Sequence, residues 1–221
     1  MDLAAVKARV AELDEDPGWY QNIELGNGVQ TKTRRIWREP ADHPADRWRA
    51  VEPGFPKSFA DKSVLDVGCN AGFFSFKAAE RGATDIVAVD YNERYIEQAK
   101  FANEVRGDKI DFRVGSVENL RSLKKRFDIV LCIGLLYHVK DLLGGVREIA
   151  HVTSEMAIIE SAIYNDADEL PLIRVAGGDT ALPGTWHPNI AGLTALCLKT
   201  GFKRVEPLFK EGGRGGVIAY K

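Results

Sequence analysis

The chain has 221 residues, of which 45% are hydrophobic and 28% charged. This length lets one domain bury a full core, and the balanced composition excludes a disordered chain. The net charge of −2 excludes a protein that relies on a strong basic excess to hold nucleic acid. The apolar runs are too short to span a bilayer and the acidic start lacks the features of a secretory signal, so we expect a cytoplasmic protein with no membrane partner.

The N-terminal part of the chain predicts a helix, a hairpin and an arm. Apolar residues at three- and four-residue steps in the first thirteen positions are typical of an amphipathic helix, which the Asp-Pro-Gly sequence at 16–18 would end. The Gly-Asn-Gly sequence at 26–28 predicts a short hairpin. Residues 32–57 lack periodicity, and we interpret them as an ordered arm packed on the core. Its basic residues favour a mixed solvated surface over an anion or RNA patch: Lys32, Arg34, Arg35, Arg38, Arg47 and Arg49.

From residue 61 onward, short apolar runs alternate with helical stretches. This alternation predicts a parallel α/β sheet covered by helices on both faces. The turn-rich stretch at 163–188 interrupts it and predicts a lid. We therefore divide the chain into an N-terminal helix and arm at 1–60 and one domain at 61–221. The predicted strands are SVLDVG, DIVAVD, KIDFRVG, FDIVLCIGLL, MAIIESAI, FKRVEPLF and GGVIAYK, and the helices between them are FFSFKAAERG, NERYIEQAKFANEVRG, DLLGGVREIAHVT and NIAGLTALCLKTG.

The three cysteines give no sign of a disulfide or a metal site. Cys69, Cys132 and Cys197 form no C-x-x-C pair and have no histidine at ligand spacing. Two of them lie inside apolar runs, where a thiol behaves as a small hydrophobic group. We expect three structural thiols and no bound metal.

A strand, an acid and a glycine turn stand directly before the first helix of the α/β region. In VLDVGCNAGFF, Asp66 lies at the strand end, and Gly68 and Gly72 belong to the turn. Glycine lets a backbone approach a ligand, and the helix N-terminus offers unpaired amides at the sheet edge where ligands bind. The dinucleotide fingerprint G-x-G-x-x-G would require glycine at Asn70 and Phe73. A nicotinamide-dependent oxidoreductase is therefore disfavoured.

Several motifs in order resemble the class I S-adenosylmethionine-dependent methyltransferases over residues 61–221. After the glycine turn, Asp90 closes the second strand, Gly115-Ser116-Val117 follows the third, and the segment from FDIV to GLLYH resembles the fourth motif. The resemblance implies a Rossmann-like, doubly wound, seven-stranded, mostly parallel sheet with a terminal antiparallel strand. It also implies an enzyme that uses S-adenosyl-L-methionine and transfers its methyl group.

A narrower resemblance is to the family of tRNA wobble-uridine carboxymethyl- and methyltransferases. It is carried by GWYQNIELGNGVQT, VLDVGCNAGFFSF, GLLYHVKD and TWHPN before a C-terminal GF. Gln21 stands where the family motif WYH has histidine, Ser116 stands where many methyltransferases have an adenine-binding acid, and the chain is shorter than the wobble-uridine enzymes. We see no basic residues that mark a carboxylated cofactor, so ordinary S-adenosylmethionine is the expected donor.

The resemblance to methyltransferases also implies which residues hold the cofactor. Asp66 would organise the methionine end, although such a carboxylate also suits an ordinary helix cap. Asp90 would accept from the ribose hydroxyls. Tyr91 and Val117 would sandwich the adenine, with simple surface packing as the alternative for Tyr91. The implied cofactor-binding set is Asp66, Gly68, Asn70, Gly72, Asp90, Tyr91, Ser116 and Val117.

Two residues after the fourth strand are candidate catalytic groups. His138 is a candidate general base because imidazole accepts a proton near neutral pH. A histidine bonded to backbone is its alternative role. Tyr137 would orient the acceptor or face the cofactor. We interpret His43 and His151 as surface residues.

The extension and the predicted lid supply candidate substrate-binding residues. Arg174 would pair with an anionic acceptor or form a salt bridge within the lid. Trp186 would stack on substrate or pack internally, and His187 would act as a second base or at the entry to a helix. The full set is Tyr20, Arg174, Asp179, Trp186 and His187.

Methyl transfer from a sulfonium requires mainly that donor and acceptor be aligned in a dry cavity. The sequence therefore predicts a methyltransferase that acts on an oxygen or nitrogen of a small-molecule acceptor. One alternative is a tRNA wobble-uridine methyl- or carboxymethyltransferase, supported by the narrower resemblance and the arginine-rich arm. Another is a module that binds the cofactor without turnover.

Overall fold

The computed structural model describes residues 1–15, 18–31, 43–164, 170–175 and 186–221. Its helices are α1 (Leu3–Glu12), α2 (Ala45–Val51), α3 (Phe73–Glu80), α4 (Glu93–Arg106), α5 (Leu142–Val152) and α6 (Ile190–Thr200). Its strands are β1 (Glu24–Gly26), β2 (Val29–Gln30), β3 (Ser63–Val67), β4 (Asp85–Asp90), β5 (Asp111–Val114), β6 (Phe127–Ile133), β7 (Thr153–Ala162), β8 (Ile173–Val175), β9 (Trp186–Pro188), β10 (Arg204–Glu211) and β11 (Arg214–Tyr220). Short 3-10 helices lie at Glu52–Gly54, Val117–Leu123 and Leu136–His138.

The central sheet has seven strands in the order β10-β11-β7-β6-β3-β4-β5. Five neighbouring strands run parallel to one another: β7, β6, β3, β4 and β5. Strand β11 is antiparallel to both of its neighbours, β7 and β10. The chain builds outward from β3 to β5, then returns to place β6 on the other side of β3. The predicted doubly wound, mostly parallel sheet is confirmed. Its topological switch point lies between β3 and β6, which is where open α/β sheets bind ligands.

Both faces of the sheet are buried because successive side chains on its central strands point to opposite faces. Val64 on β3 belongs to one hydrophobic cluster and its neighbour Leu65 to the other. The N-terminal extension joins the first cluster through Leu13 and Trp19, both fully buried. The indole Nε1 of Trp19 donates to the carbonyl of Val10 at 3.0 Å. The N-terminal helix therefore packs on its own domain.

The region at 32–57 contains a helix that the sequence did not indicate. Helix α2 has seven residues, which is too short to show a periodic pattern. The ring of Trp48 on this helix lies 4.9 Å from that of Phe55 and 4.6 Å from the guanidinium carbon of Arg81. Of the basic residues of this arm, Arg47 and Arg49 are described, whereas Lys32, Arg34, Arg35 and Arg38 lie outside the described residues.

The predicted lid region contains a short antiparallel pair of strands. β8 pairs with β9, with Arg174 opposite His187. The side-chain oxygen of Asn189 accepts from the amides of Leu172 and Gly192 at 3.1 and 2.7 Å, which joins this pair to α6. Asp179 lies outside the described residues.

The three cysteine thiols are free and fully buried, as expected. Within the described ranges, no helix is long and apolar enough to cross a membrane. In the same part of the chain, no group of three or more His, Cys, Asp or Glu side chains is arranged to hold a metal ion.

Candidate cofactor and acceptor site

The turn between β3 and α3 has a backbone that requires glycine at two positions. Gly68 has φ +74° and Gly72 has φ +96°, both in the left-handed region. A Cβ on Gly72 would lie 2.7 Å from Cζ of Phe112, and a Cβ on Gly68 would lie 3.0 Å from the side chain of Leu135. Asn70 between them also has a positive φ, +51°, which asparagine tolerates better than most residues. The turn thus forms a tight cradle at the switch point of the sheet.

Asp90, at the end of β4, holds this turn in place. Its Oδ2 accepts from the amide of Asn70 and its Oδ1 from the amide of Asn92, both at 2.9 Å. Burial raises the pKa of this carboxyl, and these backbone hydrogen bonds oppose the rise. Each carboxylate oxygen retains further acceptor capacity. Asp90 is therefore equipped to accept hydrogen bonds from a pair of vicinal hydroxyls.

Asp66 is a buried carboxyl beneath the same turn. Its Oδ2 accepts from the hydroxyl of Ser75, in the first turn of α3, at 2.6 Å. Burial is the main cause that raises the pKa of Asp66 to about 7, and the neighbouring charge of Asp90 adds to the rise. An adjacent cation favours the ionised form of a carboxyl. Asp66 is thus suited to receive a positively charged group.

The residues expected around adenine lie next to Asp90. The amide of Gly115 donates to the carbonyl of Asp90 at 2.9 Å, which holds the end of β5 against β4. Ser116 is exposed, and its hydroxyl accepts from the amide of Glu118 at 3.2 Å. Val117 is buried in the second hydrophobic cluster, and Tyr91 is 74% exposed. The structure brings these residues together, and their roles toward adenine stay a prediction.

Tyr137 and His138 meet charged side chains at the end of β6. The ring centres of Tyr137 and His138 are 4.1 Å apart, and the guanidinium carbon of Arg214 lies 4.8 Å from the Tyr137 ring. Arg214 in turn donates to both carboxylate oxygens of the fully buried Glu160, at 2.6 and 2.8 Å. Partial burial, Arg214 and Arg47 all lower the pKa of His138. His138 is therefore neutral at physiological pH and able to accept a proton.

Arg47 and Arg214, which lie beside this cluster, were not identified as site residues from the sequence. A Cβ on Gly134 would lie 2.9 Å from Nη1 of Arg47 and 3.7 Å from Nη2 of Arg214, so both guanidinium groups lie beside the end of β6. Arg47 is half-buried there, which differs from the solvated surface expected. His43 is 1% exposed, and its interpretation as a surface residue is wrong, whereas His151 is exposed. Neither Arg47 nor Arg214 stands in a recognisable motif.

The N-terminal extension reaches the site through Tyr20 and Gln21. The rings of Tyr20 and His43 meet edge to face at 4.8 Å. Burial, followed by the charge of Arg47, lowers the pKa of His43 to about 4, so the imidazole is neutral. Gln21 accepts from the amide of Phe73, the first residue of α3, through its Oε1 at 3.0 Å. The extension thus contacts the first residue of α3 through Gln21 and places Arg47 beside the end of β6.

The remaining substrate candidates lie on the β8–β9 pair. The indole Nε1 of Trp186 donates to the carbonyl of Val139 at 2.9 Å, which places Trp186 beside the segment that carries His138. His187 is buried. Arg174 is exposed, and its guanidinium carbon lies 5.1 Å from the ring of Tyr164. The structure thus brings Trp186 to the site, and the substrate roles of Arg174 and His187 stay predictions.

A doubly wound sheet with a glycine turn and two buried acids at its switch point defines a Rossmann-like domain of the class I methyltransferase type. The chain belongs to the methyltransferase domain family, whose model matches residues 58–213. This membership identifies a methyltransferase domain, a class whose cofactor is S-adenosyl-L-methionine.

Curated relatives at 28% identity carry the name tRNA U34 carboxymethyltransferase. The protein from Sulfurimonas denitrificans matches over 150 residues, which are 67% of this chain and 51% of that protein. The protein from Campylobacter jejuni subsp. doylei matches over 216 residues, which are 89% of this chain and 72% of that protein. The chain spans about half the length of most of these relatives.

Several solved structures resemble this chain in fold. The N-terminal domain of EvdMO1, in the presence of SAH (S-adenosylhomocysteine) and D-fucose, has a TM-score of 0.77 at 24% identity over 100% of this chain and 97% of that one. The longer EvdMO1 structure has a TM-score of 0.72 at 26% identity, with 48% of that chain covered. An S-adenosylmethionine-dependent methyltransferase from Mesorhizobium loti has a TM-score of 0.60 at 16% identity over 80% of this chain and 99% of that one. These likenesses confirm the fold.

The raised pKa of Asp66 predicts a pH dependence. The folded state holds this proton more tightly than the unfolded chain. The stability that the protonated carboxyl of Asp66 contributes to the ligand-free protein is therefore lost as pH rises from the ordinary carboxyl pKa of 3.8 to about 7. Binding of SAH, which carries an ammonium group, should strengthen over the same interval because the ionised carboxylate is the better partner. Calorimetric titrations at a series of pH values should show this gain in the native protein and a flat profile in Asp66→Asn. A rising profile in Asp66→Asn would assign the effect to another group.

Proposed function

We propose that the protein transfers the methyl group of S-adenosylmethionine to an oxygen or nitrogen of a small, anionic acceptor. The observation that carries this proposal is the side-chain cluster beside Gly134, where His138 and Tyr137 lie with the guanidinium groups of Arg47 and Arg214. Arg214 is paired with Glu160, and the guanidinium group of Arg47 lies beside the same strand end. Guanidinium groups bind carboxylates and phosphates with defined geometry, so an anionic group on the acceptor would be attracted to this place and oriented there.

The glycine turn and the carboxyl groups of Asp66 and Asp90 support a role in binding the cofactor. We propose that Asp66 receives its ammonium group and Asp90 its ribose hydroxyls, with the turn of Gly68, Asn70 and Gly72 against it. Tyr91, Ser116 and Val117 would surround the adenine. The bound cofactor supplies a methyl group already activated by a sulfonium. The protein therefore has to align the acceptor, remove its proton and exclude water.

The proposed chemistry of the chain itself centres on His138. Its lowered pKa keeps the imidazole neutral, so it can accept the proton of an acceptor hydroxyl or ammonium group. Tyr137, held between His138 and Arg214, would orient the acceptor. Tyr20 from the extension at 1–60 and Trp186 from the lid at 163–188 would close the pocket over it. Arg174 and His187 would complete the acceptor side on the β8–β9 pair.

Replacing His138 by glutamine tests this assignment. We expect turnover to fall by about 100-fold or more, as is typical when a general base is removed, while the affinity for SAH stays unchanged. The assay measures SAH production from S-adenosylmethionine with a panel of hydroxy acids, amino acids and sugar phosphates. His151→Gln is the matched control, because His151 is exposed on α5, and it should keep full activity.

The pH profile separates a base from a structural histidine. In the native protein, turnover should rise as His138 loses its proton, and in His138→Gln this limb should disappear. Equal turnover in the two proteins would exclude His138 as the base. Turnover only with acceptors that lack an anionic group would contradict the proposed role of the two arginines.

A second candidate function, modification of tRNA, is favoured by the names of the relatives at 28% identity. A carboxymethyl donor carries an additional carboxylate, and Arg47 and Arg214 would supply the cationic partners that the sequence motifs did not reveal. Label from S-adenosylmethionine should enter the small-molecule fraction under our first proposal. Salt-sensitive binding of tRNA and label in the tRNA fraction, from S-adenosylmethionine for methyl transfer or from its carboxylated analogue for carboxymethyl transfer, would support the second.

A further inference from the structure

The carboxamide of Gln21 lies at the N-terminus of α3 with one of its two groups still available. The side chain is only 5% exposed. Its contact with the amide of Phe73 must use the oxygen, because only an oxygen can accept from an N–H. The other group, Nε2, has no hydrogen-bond partner among the residues that the structure describes. Nε2 is also not among the enclosed polar atoms that lack a partner, so this donor faces space that a ligand can enter.

The surroundings of this amide favour an anionic ligand. The N-terminus of α3 carries a partial positive charge. Ser75, two residues after Phe73, bonds to Asp66, so the carboxamide and the buried carboxyl lie at the same turn of α3. Asp66 would attract an ammonium group and repel a carboxylate. The cofactor's amino-acid end carries one group of each kind.

We propose that Gln21 binds the carboxylate of the cofactor's methionine part through Nε2, while its Oε1 caps α3. Asp66 and Gln21 would then recognise the two opposite charges of the amino-acid end. The N-terminal extension would thereby contribute directly to cofactor binding. This inference rests on the cofactor and is independent of the acceptor proposed above.

The test is calorimetric binding of two ligands that differ by one group: SAH and decarboxylated SAH, in which a hydrogen replaces the carboxylate. The informative variant is Gln21→Glu, which keeps an oxygen for the amide of Phe73 and a favourable charge for the helix N-terminus. It replaces the Nε2 donor by an oxygen that repels a carboxylate. Gln30→Glu, at the exposed position of strand β2 in the same extension, controls for the added negative charge, although it also replaces the hydrogen bond from Gln30 Nε2 to Glu24 by a repulsion at the surface. Thermal unfolding of each variant is measured in parallel.

We expect Gln21→Glu to weaken SAH binding by about 10-fold or more, as for the loss of a hydrogen bond to a charged group. Binding of decarboxylated SAH should not weaken, and Gln30→Glu should bind both ligands normally. The buried carboxylate should lower the unfolding temperature of Gln21→Glu, and the unfolding curve shows whether the variant is folded at the temperature of the binding measurement. Equal affinity of the native protein for the two ligands would overturn the proposal, since the carboxylate would then contribute nothing. So would equal weakening of both ligands in Gln21→Glu, which would assign Gln21 to helix capping alone.

A second variant covers the case in which Gln21→Glu does not fold. Gln21→Met keeps the length of the side chain and removes both polar groups. It should lose affinity for SAH and keep its affinity for the decarboxylated ligand. If SAH binds more tightly than the decarboxylated ligand in the native protein but Gln21→Met changes neither affinity, another donor such as Arg47 holds the carboxylate, and the proposal is wrong.

Discussion

Replacing Asp90 by asparagine is expected to weaken the binding of SAH by about 100-fold or more. The carboxylate accepts from the amides of Asn70 and Asn92, and we propose that it also accepts from both ribose hydroxyls. An asparagine of the same size has one oxygen in place of two. Its NH2 group would face a backbone amide or a hydroxyl that needs an acceptor. The variant therefore loses ligand contacts and loosens the glycine turn at the same time.

The matched control for this prediction is Asp85→Asn on the same strand. Asp85 lies at the opposite end of β4, where its carboxylate pairs with Lys125 at 2.6 Å on the surface. Surface pairs contribute little to stability, so SAH affinity should not change. Calorimetry of both variants gives the comparison. Asp90→Asn with native affinity would show that the ribose is held elsewhere.

The sheet was predictable because its central strands are nearly continuous apolar runs separated by helices with clear ends. β6, for example, is buried along almost its whole length, as expected of a strand covered on both faces. Helix α2 and the strands β8 and β9 were missed for a common reason. A helix of seven residues and strands of three are too short for a hydrophobic period to stand out from chance.

The proximity of the residues at the glycine turn was predictable, and that of the residues beside Gly134 was not. Asp66, Gly68 and Asp90 lie where strands end, and the ends of parallel strands meet at one edge of a sheet. The side-chain cluster beside Gly134 instead combines Arg47 from the arm with Arg214 from the start of β11. No local sequence pattern predicts a contact between residues so far apart in the chain. His43 was misread for the same reason, since only tertiary packing buries it.

Replacing Arg214 by methionine is expected to cause a large loss of stability. Its guanidinium is the bidentate partner of Glu160, whose carboxylate is fully buried. Removal of one partner leaves a buried charge without compensation, which typically costs about 3–5 kcal/mol. For a chain of this size, that corresponds to a fall of about 6–20 °C in the unfolding temperature. Scanning calorimetry measures it directly, with Arg204→Met as the control because the Arg204–Glu206 pair is exposed.

A double variant separates the structural from the functional role of Arg214. Arg214→Met with Glu160→Gln removes both charges and should recover much of the lost stability, since the buried charge is gone. Turnover should stay low, because Tyr137 no longer has the guanidinium beside its ring and the acceptor has lost one cationic contact. SAH affinity should be close to native. If turnover recovers together with stability, Arg214 serves only to hold Glu160, and Arg47 alone would have to bind the anionic acceptor.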